Sequence, residues 1–294
     1  MIIDIHSHIF QERYFGEALT AGLKLAGYPN GLPTCTPEQY EKAMEAVDYA
    51  VVFGVTANAM GVRTPNEDIA AVVARNPRKF VGFMALDPCD PNALEEMDYC
   101  VHELGFKGIK LYPAMGHFDI TDSRFHEFFD RAAKYGLVVL SHFGASPFPA
   151  SVLKYSHPLL VDELANRFPD LKLIIAHLGH PWQREAVMVV RKHRNVFADV
   201  SGLWHRPWEG FNALLSAIEW GVTGKLLFGS DYPIWTPQFA IEKLKALPQQ
   251  FDIPGLPRIP EEVIDGIIHR NAFELLGIHR AADPDTQARF QKMR

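Results

Sequence analysis

The N-terminal stretch DIHSH places Asp4, His6 and His8 at every second position of an otherwise isoleucine-rich run. In an extended strand this spacing sends the three polar side chains to one face, with Ile3 and Ile5 on the other. A one-sided sheet would leave such a face in water, whereas two imidazoles two apart on a strand can also hold one metal ion. Later apolar runs close on further reactive groups: GIKLYP carries Lys110, VVLSHFG carries His142, IIAHLGHPW carries His177 and His180, and LLFGSDYP carries Asp231. Each has an ordinary use taken singly, as a hydrogen-bonded buried ring or an aspartate capping a turn. Several neutral imidazoles and one carboxylate at the ends of successive strands instead suit a borderline divalent ion such as zinc, with manganese or iron as alternatives. Such an ion brings the ionisation of bound water to about pH 7, and a neighbouring base can then take the proton.

The elements that must position these residues recur along the chain. Apolar, β-branched runs at 2–8, 49–55, 80–86, 106–112, 137–142, 171–177, 196–201 and 226–231 predict eight strands. Segments such as PNALEEMDYCVHEL, SRFHEFFDRAAKYG and PWQREAVMVVRKH lie between them, with apolar residues at three- and four-residue spacing, and predict helices. Strands apolar on both faces and alternating with helices predict a parallel α/β sheet, and eight such units predict a closed (β/α)8 TIM barrel. An open doubly wound sheet is disfavoured because the first strand lacks a glycine-rich phosphate turn. Barrels build their sites at the C-terminal ends of their strands, where the histidines and the aspartate fall. Residues 11–36 are too long for an ordinary loop and predict a cap or lid inserted after the first strand. The barrel domain is expected over residues 1–280, followed by a loosely docked tail over 281–294.

Composition narrows the class. A chain of 294 residues with 48% hydrophobic and 22% charged residues reads as an ordinary globular protein. Its formal net charge of -6 gives no basic footprint for nucleic acid, so a small molecule is the expected partner. Cys35, Cys89 and Cys100 form no CxxC pair, which predicts reduced thiols and a cytoplasmic location. No signal peptide or membrane-spanning run is expected. Barrels with exposed cap loops often pair, and a homodimer is the expectation.

These residues together resemble the amidohydrolase superfamily, and within it the amidohydrolase-2 group that includes aminocarboxymuconate-semialdehyde decarboxylase-like enzymes. The resemblance rests on HSH, KGIKLYP, SHFG, AHLGHPW, FGSDYP and the closing IIHRNAFELLGI, and so spans nearly the whole chain. It implies that His6, His8, His142 and Asp231 hold one ion, with His177 beside the bound water as a proton shuttle. Asp231 would bind with one oxygen and accept a proton with the other. Some superfamily members bridge two ions with a carboxylated lysine on the fourth strand; Lys110 would take that place if two ions bind. The favoured reading is that Lys110 meets a carboxylate of the substrate or of the protein. His180 is left between lining the pocket, as a second-metal or substrate group, and facing only its loop, where a helix is expected to start at Pro181. His102, His126, His193 and His269 fall in helical patterns and are read as surface or packing residues.

Tyr112, Phe143, Trp182, Trp204, Tyr232 and Trp235 follow strand ends, and about half of them should be packing residues. Tyr112, Trp182, Trp204 and Trp235 are read as substrate-binding, forming a pocket for a ring-derived molecule. Arg206, with His205, and Arg63 are candidates to meet a substrate carboxylate. The leading expectation is a metal-dependent hydrolase acting on an amide, ester or lactone of a small carboxylated substrate. The alternative is a non-oxidative decarboxylase of an unsaturated or aromatic acid, and a ligand-binding barrel without turnover is a third reading.

Overall fold

The structure is a computed structural model in which residues 1–279 are described; the expected tail over 281–294 lies outside the described residues. Eight parallel strands follow one another in chain order: β1 Ile3–His8, β2 Tyr49–Phe53, β3 Phe80–Ala85, β4 Gly108–Leu111, β5 Val138–Ser141, β6 Lys172–Ile175, β7 Val196–Asp199 and β8 Leu226–Leu227. The barrel closes between its first and last strands. Ile5 N donates to Phe228 O at 3.0 Å, Asp231 N to His6 O at 2.8 Å, and His8 N to Tyr232 O at 2.7 Å. The TIM-barrel reading of the sequence therefore holds, and the polar face of β1 is not wet: Asp4 and His6 are 0% exposed and His8 3%.

The strands are apolar on both faces because they have two cores to fill. Ile3, Ile5, Val51, Phe53, Phe83, Val138, Leu140, Ile174 and Leu227 point inward and pack with one another. Phe273 and Leu276, from the closing helix Ala272–Leu276, join the same cluster and cover the N-terminal strand ends, where Tyr49 meets the Phe273 ring. The outward residues pack against helices such as Ala93–His102, His126–Lys134 and Gln183–Lys192. Two of the histidines expected in helical patterns serve as packing groups, His126 on the Phe168 ring and His193 on Asp162.

Residues 11–36 fold into a short 3-10 turn, Glu12–Tyr14, one helical turn, Glu17–Thr20, and further turns. A small hairpin, Thr56–Ala57 with Val62–Arg63, adds a second wall beside them. Phe10, Leu19, Val55, Met60, Val62, Tyr112 and Met115 form a separate apolar cluster that joins the segment to the hairpin and the barrel mouth. Glycine is required at the seam, because a Cβ on Gly16 would sit 2.4 Å from the Gly61 carbonyl oxygen. No helix among the described residues is long and apolar enough to cross a membrane.

Candidate active site and metal centre

Asp231 reaches the site through an unusual backbone. Strand β8 is short, and the residues after it run alongside β1 until Asp231 turns in the left-handed region at φ 61°. Its N–H is held by His6 O, and its carbonyl accepts from Ile234 N at 2.9 Å, so tertiary bonds sustain the strain. The turn carries Oδ1 to 3.1 Å from His8 Nε2 and 3.3 Å from His6 Nε2. Close approach of the two segments needs Gly229, where a Cβ would stand 2.6 Å from His6 Cβ. Gly229→Ala is accordingly expected to push β1 away, lowering stability by about 1–3 kcal/mol and weakening metal affinity. Thermal unfolding and a zinc titration check both effects, and an unchanged zinc affinity would count against the packing argument.

His142 and His177 follow β5 and β6, in turns rather than on the strands. His177 and Leu178 adopt φ 54° and 47°, which folds the His177 ring back over the barrel mouth. The rings of His6 and His177 lie 4.7 Å apart and those of His177 and His142 4.9 Å apart, so the polar strand ends do converge. The hydrogen-bond network assigns their tautomers. A backbone carbonyl can only accept; His142 Nε2 therefore donates to Ala145 O at 3.2 Å, and its Nδ1 carries a lone pair. By the same reasoning His177 Nδ1, 3.2 Å from Ser201 O, carries the proton and Nε2 is bare. These two bare nitrogens face each other at 3.3 Å, an arrangement that calls for a cation between or beside them.

Sequence reasoning missed two residues of this site, Asp199 and Ser201. Both are 0% exposed and stand two residues apart in ADVSG at the end of β7. Asp199 Oδ2 accepts from His6 Nδ1 at 2.9 Å, while Oδ1 accepts from His177 N at 3.1 Å, from Ser201 N at 3.0 Å and from the Ser201 hydroxyl. Burial alone would raise this carboxyl, but His6, His177 and Ser201 outweigh it and hold it well below the usual carboxylate range. The polarity of the seventh strand end was the available signal.

The donor set fits a divalent ion. Ligand nitrogens about 2.05 Å from a tetrahedral zinc stand roughly 3.3 Å apart. His6 Nε2 and His8 Nε2 each lie at such a distance from Asp231 Oδ1, and the three can gather on one ion. Electrostatics agree. Burial presses His8 down to about 3 and His177 down to about 4, and lowers His142 strongly, leaving these rings neutral as ligation requires. At His6, burial and Lys110 oppose a positive charge, yet the nearby Asp199 and Asp231 raise it above its ordinary value. Asp231 is held well below the carboxylate range, because bonds from His6 and His8 overcome its burial.

Lys110 is fully buried below this cluster, with Nζ 3.4 Å from His6 Nε2 and 4.9 Å from the ring centroids of Phe53 and Tyr112. Burial pushes it down to about 7. It makes no hydrogen bond to a carboxylate among the described residues; its partners are an imidazole and aromatic faces.

Above the cluster opens a cavity of about 500 Å³. His8, His142, His177 and Asp231 form its floor, and Phe10, Phe15, Leu19, Tyr28, Leu32, Val55, Val62 and Met115 its apolar walls, several of them from residues 11–36. Tyr112, His180, Arg206 and Trp235 also line it, so His180 faces the cavity rather than only its loop. The other candidates stand elsewhere. Trp182 packs at an angle against His157 outside the cavity, just ahead of the helix, which begins at Gln183 rather than Pro181. Trp204 is buried behind Trp235, which covers it edge-on. Phe143 and Tyr232 belong to the core between sheet and helices. Arg63 is tied to Asp90 at 2.8 Å on the outer surface. His180 is braced at Nδ1 by Gln183 at 2.9 Å and Glu209 at 3.1 Å, while Arg206 stands exposed at the rim without an ion-pair partner among the described residues.

Known proteins resemble the chain over most of its length. The chain is 23% identical over 280 residues to decarboxylase orsB of Emericella nidulans, covering 81% of this chain and 82% of that protein. It is 29% identical over 289 residues to a 2-keto-4-carboxy-3-hexenedioate hydratase of Sphingobium sp., covering 79% of this chain and 83% of that protein. Among solved structures, an uncharacterized TIM-barrel protein from Bordetella bronchiseptica superposes with a TM-score of 0.70 at 22% identity, covering 94% of this chain and 98% of the other. A dihydroxybenzoic acid decarboxylase from Polaromonas sp. with bound manganese gives 0.66 at 18% identity over 95% and 98% of the two chains. A probable 2-pyrone-4,6-dicarboxylic acid hydrolase from Acinetobacter baumannii, with citric acid bound, gives 0.64 at 17% identity over 94% and 99%. The amidohydrolase family pattern (Amidohydro_2) matches residues 3–278, from the first residue of β1 to just past the helix that seals the barrel floor, and the chain belongs to that family of metal-dependent enzymes.

Proposed function

We propose that the chain is a carboxy-lyase, dependent on one zinc or manganese ion, that removes carbon dioxide from a small unsaturated or aromatic acid. The observation that carries this reading is the polarity gradient of the cavity. Its floor presents imidazoles and a single carboxylate, its rim carries Arg206, and the walls between are apolar and aromatic. Such a cavity suits a flat anion, and losing carbon dioxide disperses the carboxylate charge, which low polarity favours. Decarboxylase orsB, alike over four-fifths of each chain, supports the same choice.

His6, His8 and Asp231 would hold the ion, with His142 and His177 beside them. When bound, it would polarise a substrate oxygen as a Lewis acid. The chain's own residues supply the rest. Arg206 meets the outer anionic group, Tyr112 and Trp235 offer aromatic faces to the ring, and residues 11–36 exclude water. As the bond to the departing carboxyl carbon breaks, its electron pair stays on the substrate carbon, which takes a proton that a solvent water has first given to His177 Nε2 or Asp231.

One observation favours a second reading, hydrolysis or hydration: the bare Nε2 of His177 lines the cavity and can accept a proton from water. Assays with 2,6-dihydroxybenzoate and 2-pyrone-4,6-dicarboxylate in D2O separate the two. Carbon dioxide release with deuterium on the vacated carbon supports the lyase; ring-opened acid from the pyrone with no carbon dioxide from either would replace it with the hydrolase. Arg206→Gln is expected to raise KM about tenfold with a smaller effect on kcat, since a rim charge serves binding rather than chemistry.

A further inference from the structure

The site contains one carboxylate that faces neither the cavity nor solvent, and both of its oxygens are committed. Asp199 Oδ2 lies 2.9 Å from His6 Nδ1, whereas Oδ1 receives the Ser201 hydroxyl, whose oxygen is in turn 2.8 Å from His177 Nδ1. The direction of each bond follows from the atoms. An ionised carboxylate only accepts, so the Ser201 hydroxyl proton is spent on Asp199 and its oxygen must accept from His177 Nδ1–H. Two N–H groups, of His177 and Ser201, also converge on Oδ1 and keep the carboxylate from rotating.

We propose that Asp199 is a positioning residue that sets two rings at once, holding His6 directly and His177 through Ser201, so that both turn Nε2 toward the metal centre. Its Oδ1 accepts from His177 N, Ser201 N and the Ser201 hydroxyl and its Oδ2 from His6, and it does not line the cavity. The two rings belong to β1 and to the turn after β6, and nothing in their own loops would select the tautomer of His6. The link thus ties the ion-binding half of the site to the proton-handling half. A carboxylate behind a ligating imidazole typically changes metal affinity 10–100-fold when removed.

The proposal rests on the reading of the site as metal-dependent, and the test keeps the two apart. Protein labelled with 15N-histidine is examined by long-range 1H–15N correlation, which reports the tautomer of each ring, and zinc affinity is titrated on the same samples. The expected result for the zinc-loaded wild type is an Nδ1–H tautomer at both His6 and His177. Ser201→Ala leaves His177 Nδ1 only the Ser201 carbonyl at 3.2 Å, and should shift the His177 ring nitrogen signals while altering the zinc Kd by less than about threefold, whereas Ser201→Thr, which keeps the hydroxyl, should restore the wild-type spectrum. Asp199→Asn should disturb both rings and weaken zinc binding by about 10–100-fold. An unchanged His177 in Ser201→Ala, or wild-type zinc affinity in Asp199→Asn, would overturn the proposal. If the wild-type chain binds no zinc or manganese, the metal reading fails, and the tautomers of the metal-free variants still decide the Asp199 link.

Discussion

Asp231→Asn is expected to lower turnover by about 10³-fold or more. The substitution is a sharp one because asparagine has nearly the same shape and is among the few residues that tolerate the left-handed φ of 61° found there. The backbone that aims the side chain should therefore survive, and only the charge and the proton-accepting oxygen are lost. One Asp231 oxygen faces both His6 and His8, so the change removes a metal ligand and a proton acceptor together. Measuring kcat and metal content on the same preparation separates these parts. Loss of turnover with metal retained assigns the effect to proton handling; joint loss assigns it to ligation. A variant within tenfold of the wild type would remove Asp231 from the mechanism.

Phe129→Ala should have the largest effect on stability, with no direct effect on the site. Phe129 is 0% exposed on the helix His126–Lys134 and packs edge-on against Phe128 and at an angle against Phe168, in the core between sheet and helices. Truncating a buried phenylalanine leaves a cavity as well as lost transfer energy, about 3–5 kcal/mol in total, and should lower the thermal midpoint by roughly 5–15 °C. Denaturant and thermal unfolding measure it, with zinc stoichiometry as the control. A loss below about 1 kcal/mol would mean that the outer core relaxes into the space. The separation is physical: the barrel's stability resides in its two apolar cores, and the strained turns at Asp231 and His177 are held by the frame that those cores provide.

Much of this arrangement was legible in the linear chain. The eight apolar runs and the intervening three- and four-residue periodicity are local properties, set by how strands and helices bury their faces, and they predicted the barrel. The HSH pair was legible for a similar reason, since two residues of one strand share a face whatever the rest of the chain does. The hairpin over residues 56–63 was not, because two-residue strands have no period to read. Trp182 was placed in the pocket from its position after a strand, but its direction depends on where the next helix begins.

What the tertiary structure alone decided is which strand-end groups meet. Asp199 and His6 are separated by 193 residues and Asp231 and His8 by 223, and no local pattern relates them. Closure of the barrel brings β8 beside β1 and the end of β7 within reach across it, and only then does Asp199 acquire an imidazole to hold and Asp231 two to bridge. Sequence determined the kinds of group available at the mouth, because residue type and strand periodicity are local. Their tautomers, charges and shared contacts arise from burial and proximity, which exist only once the chain has folded around them.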